Sequence, residues 1–153
     1  MKIKEIMEKH KDKLSDDFII ETDFSSNVTV YTADLLITDW SAIAFEFAFT
    51  TNKPALFINT EMKVVNRDYK QIPLIPFDIT TREKLGRSLN KDQVKNAHEV
   101  VADLLTNQKN YEERIDRIKH EYFYNLGNSG EVGADYIIRR IKAKNTARET
   151  VNK

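Results

Sequence analysis

A parallel α/β fold, enriched in helix toward the C-terminus, is what this sequence predicts, and three observations carry the prediction. Leu35-Leu36-Ile37 is a continuous apolar run of the kind found in strands covered on both faces. Ala55-Leu56-Phe57-Ile58 is a second such run. Between them, Ile43, Phe45, Phe47, Ala48 and Phe49 suit a helix packed on a sheet, and a strand, a helix and a strand within about thirty residues make a βαβ unit. Crossovers of that kind are nearly always right-handed, so the sheet is expected to be parallel.

The remaining elements follow in chain order. Ile3, Ile6, Met7 and Leu14, spaced among alternating charges, predict an amphipathic helix over residues 3–13. Ser15-Asp16-Asp17 breaks it before a short β-type run, Phe18-Ile19-Ile20. Residues 23–27 are a polar loop, and residues 28–32 are a strand by propensity or a short helix by context. The helix after Ser41 ends near Asn52-Lys53-Pro54, because proline disfavours helix in the residue before it. Residues 59–80 read as a loop containing Pro73 and Pro76, of a length that usually covers something or has a function. Asn90 can cap a helix over 91–106 with Val94, Ala97, Val101, Leu104 and Leu105 on one face. Residues 107–110 interrupt the pattern, 111–122 resume it, 125–130 form a turn, and a last helix covers about 131–143. Residues 1–145 thus read as one domain and 146–153 as a frayed tail.

Composition bounds the function. A chain of 153 residues can bury roughly 70% of its unfolded surface. Apolar residues at 41% and charged residues at 31% are globular composition with several solvated helices. Twenty-four basic residues balance twenty-four acidic ones, so no net field draws the domain to nucleic acid, and an anion site has to be local. Cysteine is absent, which excludes disulfides and thiolate metal sites and fits a reducing, cytoplasmic setting. No apolar run is long enough for a signal peptide core or a membrane span. His10, His98 and His120 fall on separate predicted helices with no metal-ligand spacing, and no metal or cofactor is expected.

Ligands of parallel α/β sheets bind beyond the carboxyl ends of the strands, where loops lead into helix N-termini. Thr38, Asp39, Trp40, Ser41 and Ala42 occupy that position. With Ser41 as helix cap, its hydroxyl and the amides that follow can meet phosphate oxygens, favoured by the helix dipole. Asp39 suits loop amides or a sugar hydroxyl better than the anion. Glu46, about one and a half turns on and flanked by Phe45 and Phe47, can accept paired bonds from a ribose diol. Taken singly, Asp39 and Ser41 read equally as turn and cap residues, Glu46 as a solvated helix glutamate, and Trp40 as core packing.

The stretch ADLLITDWSAIAFEFAFTTNKPALFINT, residues 33–60, resembles the C-terminal nucleotide-binding half of CDP-glycerol glycerophosphotransferases, the teichoic-acid polymerases and primases of GT-B architecture. The family pattern of an apolar strand, a T-D-aromatic-S turn, an aromatic-acidic-aromatic helix and a K/R-P apolar strand is matched by Thr38-Asp39-Trp40-Ser41, Phe45-Glu46-Phe47 and Lys53-Pro54. Where the family commonly has Tyr, two Ser and Asp, this chain has Trp40, Ser41-Ala42 and Glu46. The family's Arg-Pro-His-Pro strand motif has no counterpart upstream of the first helix.

The resemblance implies a Rossmann-like parallel sheet, part of the C-terminal half of a GT-B enzyme, with additional helices after it. It implies transfer in a cleft between two such halves, with a histidine from each acting on phosphate. The expectation is a truncated nucleotide-binding domain that alone binds a nucleotide weakly or not at all and does not turn over. In the parent enzyme it would take CDP-glycerol or another nucleotide-activated donor and pass glycerol phosphate to a cell-surface polymer. Its place would be the cytoplasm, at the inner face of the membrane through peripheral association. Thr38, Asp39, Ser41, Ala42 and Glu46 would be its nucleotide and phosphate ligands. Two alternatives stand beside it: a nucleotide-sugar transferase of GT-B type, which Glu46 also fits, and a non-catalytic flavodoxin-like or receiver-type module with Asp39 as phospho-acceptor.

Overall fold

The computed structural model describes residues 2–23, 28–62 and 66–151. These residues form seven α-helices and one three-stranded sheet. Strands β1 (Leu36–Thr38), β2 (Ala55–Asn59) and β3 (Gly86–Asn90) lie side by side in that order, all parallel. The crossovers are α3 (Ile43–Thr51) and α4 (Phe77–Leu85), so two βαβ units share β2. Helices α5 (Ala97–Thr106) and α6 (Gln108–Tyr122) complete the layers on the sheet. The fold is α/β and consistent with a partial Rossmann-like domain, as the two apolar runs predict.

Burial explains why β2 is the centre. Ala55, Leu56 and Phe57 are fully buried on both faces of the sheet, as continuous apolar strands require. Phe47, Leu85, Leu104 and Ile115, from α3 to α6, close over them without exposure. Each such side chain contributes about 1.5–3 kcal/mol of transfer free energy. β1 is less covered than its sequence predicts. Among the described residues it has a neighbouring strand on one edge only, and Ile37 is 54% exposed.

Helix α3 ends at Asn52, whose left-handed conformation (φ 56°) lets its N–H donate to the Ala48 carbonyl. Asn is one of the few residues that accepts that conformation. The Lys119 ammonium donates to the Asn52 side-chain oxygen at 2.7 Å and ties this helix end to α6. Lys53 then reaches back to the Ala33 carbonyl and the Asp34 carboxylate, at 2.8 and 2.9 Å. Lys53 thereby pins the entrance of β1 beside the entrance of β2.

Several expectations are corrected. Phe18-Ile19-Ile20 is not a strand: Ser15 and Phe18 form one isolated antiparallel bridge, and Ile19 is exposed. Among the described residues no neighbouring strand accepts its backbone groups, and propensity without a ladder does not make a strand. Residues 28–32 are the short helix α2. The loop expected over 59–80 ends early, because α4 starts at Phe77, directly after Pro76. Strand β3 has no counterpart among the elements that the sequence predicts. The helix expected over 91–106 is a 3-10 segment, Lys91–Asn96, followed by α5; Asn90 caps the segment in a reciprocal box with Gln93. Only Asn107 separates α5 from α6.

α1 (Lys2–His10) has no buried residue and is followed by a 3-10 turn. The last helix, α7 (Ser129–Val151), begins two residues earlier than expected and leaves Tyr136, Ile137, Ile138 and Ile141 exposed. Of the expected polar loop at 23–27, residues 24–27 lie outside the described residues, as do 63–65 of the loop after β2 and 152–153 of the tail. Among the described residues no helix is long and apolar enough to cross a membrane.

Candidate functional site

The register of the sheet builds a recess. β1 stops at Thr38 opposite Phe57, whereas β2 and β3 run on as a pair to Asn59 and Asn90. The chain leaving β1 crosses the shortfall as the turn of Asp39, Trp40, Ser41 and Ala42, then enters α3. Trp40 is half-buried, and its indole N–H donates to the Thr60 carbonyl at 2.9 Å, so the turn is fastened to the residue that follows β2.

Beneath the turn lies Arg82, an arginine of α4 with only 5% of its surface exposed. Its guanidinium is 3.8 Å from the Trp40 ring centre and 4.4 Å from that of Phe57. Two aromatic faces thus offer it cation–π attraction as water is removed. One terminal nitrogen donates to the Asp39 carbonyl at 2.9 Å and the other to the Asn59 side-chain oxygen at 3.0 Å. Asn59 in turn donates to the Asn90 side chain at 3.0 Å. A polar chain therefore joins the carboxyl ends of all three strands. Burial pulls the Arg82 guanidinium below its ordinary pKa, while the carboxylates of Glu83, Asp39 and Asp78 act in the opposite sense. It stays charged at any physiological pH.

The expected site residues fall around this layer. Thr38 is the half-buried last residue of β1, and Asp39 and Ser41 are exposed on the turn. The Ser41 hydroxyl accepts from the Ile43 amide at 3.5 Å, the outer limit for such a bond. Ala42 rather than Ser41 holds the cap position, with no side-chain cap. That leaves the serine hydroxyl only loosely engaged by the helix. Glu46 is exposed on α3, and its amide donates to the Ala42 carbonyl at 3.4 Å. Residues four apart share a helix face, so Ala42 and Glu46 lie one above the other about 6 Å along the axis. Glu46 also lines a shallow groove with Tyr31, Phe45, Phe49, Lys119 and Phe123.

The histidines stand on α1, α5 and α6, and none belongs to the turn after β1. His98 and His120 are exposed, and the His10 ring meets the Phe18 ring edge-on. Among the described residues no three acidic, histidine or cysteine side chains form a group that could hold a metal ion. The polar layer beneath the turn that sequence reading missed is Arg82, Asn59 and Asn90. The two asparagines could have been found as polar residues closing strands; Arg82, inside the charged run Arg82-Glu83-Lys84, gives no such sign.

A parallel α/β sheet with an acidic turn leading from a recessed strand into a packed helix places the chain among Rossmann-like domains. The model of the family described as CDP-Glycerol:Poly(glycerophosphate) glycerophosphotransferase matches residues 3–141, and the chain belongs to that family. It is a glycerophosphotransferase-like domain of a transferase family. No curated protein and no solved structure matches it significantly.

Proposed function

We propose that the turn after β1 and the N-terminus of α3 form the donor site of a glycerophosphotransferase that takes CDP-glycerol and delivers glycerol phosphate to a cell-surface polymer. The observation that carries this reading is the placement of Asp39, Ser41 and Ala42 over the recess at the strand ends, in a chain of this family. The Ser41 hydroxyl and the turn amides would hold the diphosphate, aided by the helix dipole. Glu46, one turn below Ala42, would accept the ribose hydroxyls, and Asp39 would order the turn. Transfer joins an acceptor hydroxyl oxygen to the phosphorus that bears glycerol, breaks the diphosphate bridge and releases CMP. Ser41, the turn amides and Glu46 would bind the donor, and none of these residues is given the proton transfer. A soluble donor and a surface acceptor fit work at the inner face of the membrane.

Equilibrium dialysis of CDP-glycerol against the chain and its Glu46→Gln variant tests the reading. Expected is measurable binding that weakens about tenfold in the variant, the worth of roughly 1.4 kcal/mol, with an unchanged melting temperature. Equal retention by both proteins, or by neither, would overturn the role of Glu46.

A further inference from the structure

The geometry points to Arg82 as a positioning residue, one that holds the turn after β1 in the shape a donor meets. The inference rests on reading that turn as the donor site, but its core is a statement about the turn itself. In a trans peptide the carbonyl and the N–H point in opposite directions. Arg82 holds the Asp39 carbonyl inward at 2.9 Å, so the N–H of the same peptide unit, that of Trp40, is directed away from the arginine. A single buried cation therefore sets which way the first amide of the turn faces.

Stability alone is a weak reason for this arginine. Among the described residues no carboxylate lies within ion-pair distance of it. Glu83, Asp39 and Asp78 act on it at longer range, and taking a charge out of water costs free energy that such distant partners do not offset as a close pair would. What guanidinium adds is direction. Its planar fork can lie between two rings while its two ends reach acceptors on different strands, here Asp39 after β1 and Asn59 on β2. A lysine ammonium is a compact point charge and cannot do both. Asn59 passes the constraint to Asn90, so the last residue of β3 is held in the same layer.

The test is ¹⁵N relaxation of the whole chain as wild type, Arg82→Lys and Arg82→Gln, joined to titration with CDP. In the wild type, the amides of residues 39–42 should show order parameters near about 0.85, the rigid range. In the lysine variant they should fall below about 0.6, while amides of α5 and α6 keep wild-type values, and the CDP dissociation constant should rise at least tenfold. Unchanged order parameters at 39–42 in either folded variant would overturn the proposal, as would a turn already flexible in the wild type. Global unfolding of both variants would show a merely structural arginine and overturn it too. A wild-type chain that binds no CDP would defeat the donor-site reading while the relaxation data still decide the role of Arg82.

Discussion

The Trp40 indole N–H donates to the Thr60 carbonyl at 2.9 Å, and this bond ties the turn after β1 to the end of β2 across 20 residues of chain. The same ring lies on the Arg82 guanidinium. Trp40→Phe keeps a ring for the arginine and removes the donor, and should cost about 1 kcal/mol, the net worth of one such bond. Trp40→Ala removes both and should cost about 3 kcal/mol or more. Urea midpoints measure the two, and equal midpoints for the variants would show that the ring does not hold the turn.

Gly86 opens β3 where it runs against β2. A methyl group there would sit 1.7 Å from the Ala55 carbonyl oxygen, an approach that only displacement of the strands can relieve. Gly86→Ala should therefore cost at least the upper end of the usual overpacking range, about 3 kcal/mol. Circular dichroism on heating will read this as a large fall in melting temperature or as failure to fold. A variant that melts with the wild type would mean that β3 does not pair at Gly86↔Ala55.

Leu104 of α5 is fully buried, whereas Ile137 of α7 is 58% exposed. Leu104→Ala should cost about 2–5 kcal/mol, and Ile137→Ala should stay within about 0.5 kcal/mol. Chemical denaturation of the pair separates the packed domain from the helix that extends from it. A large effect at Ile137 would place α7 against the core.

How much of this was legible in the sequence depended on where the neighbours of each residue come from. β1, α3 and β2 are readable because their signals are local: apolar runs, a helical period, and Asn52-Lys53-Pro54 to end the helix. β3 is not. Gly86-Arg87-Ser88-Leu89-Asn90 has one buried large side chain, Leu89, and its Arg87 reaches out to Asp103, so neither alternation nor continuity marks it as a strand. Phe18-Ile19-Ile20 shows the reverse error, β-forming residues with no strand to join. Arg82 is the sharpest case. Its surroundings come from Asp39, 43 residues away, and from Trp40 and Phe57, so a residue that looks solvated in sequence is buried in the fold. The turn residues Thr38 to Ala42 could be named from their position after an apolar strand. The layer that supports them could not.

The central claim is that the turn at residues 38–42, with Glu46, receives a nucleotide donor. Its most direct measurement is a ¹⁵N-HSQC titration of the chain with CDP-glycerol, alongside CMP and a UDP-sugar. The account predicts shifts at Thr38, Asp39, Ser41, Ala42 and Glu46 at millimolar CDP-glycerol; no shift there at that concentration, or shifts confined to other residues, would contradict it.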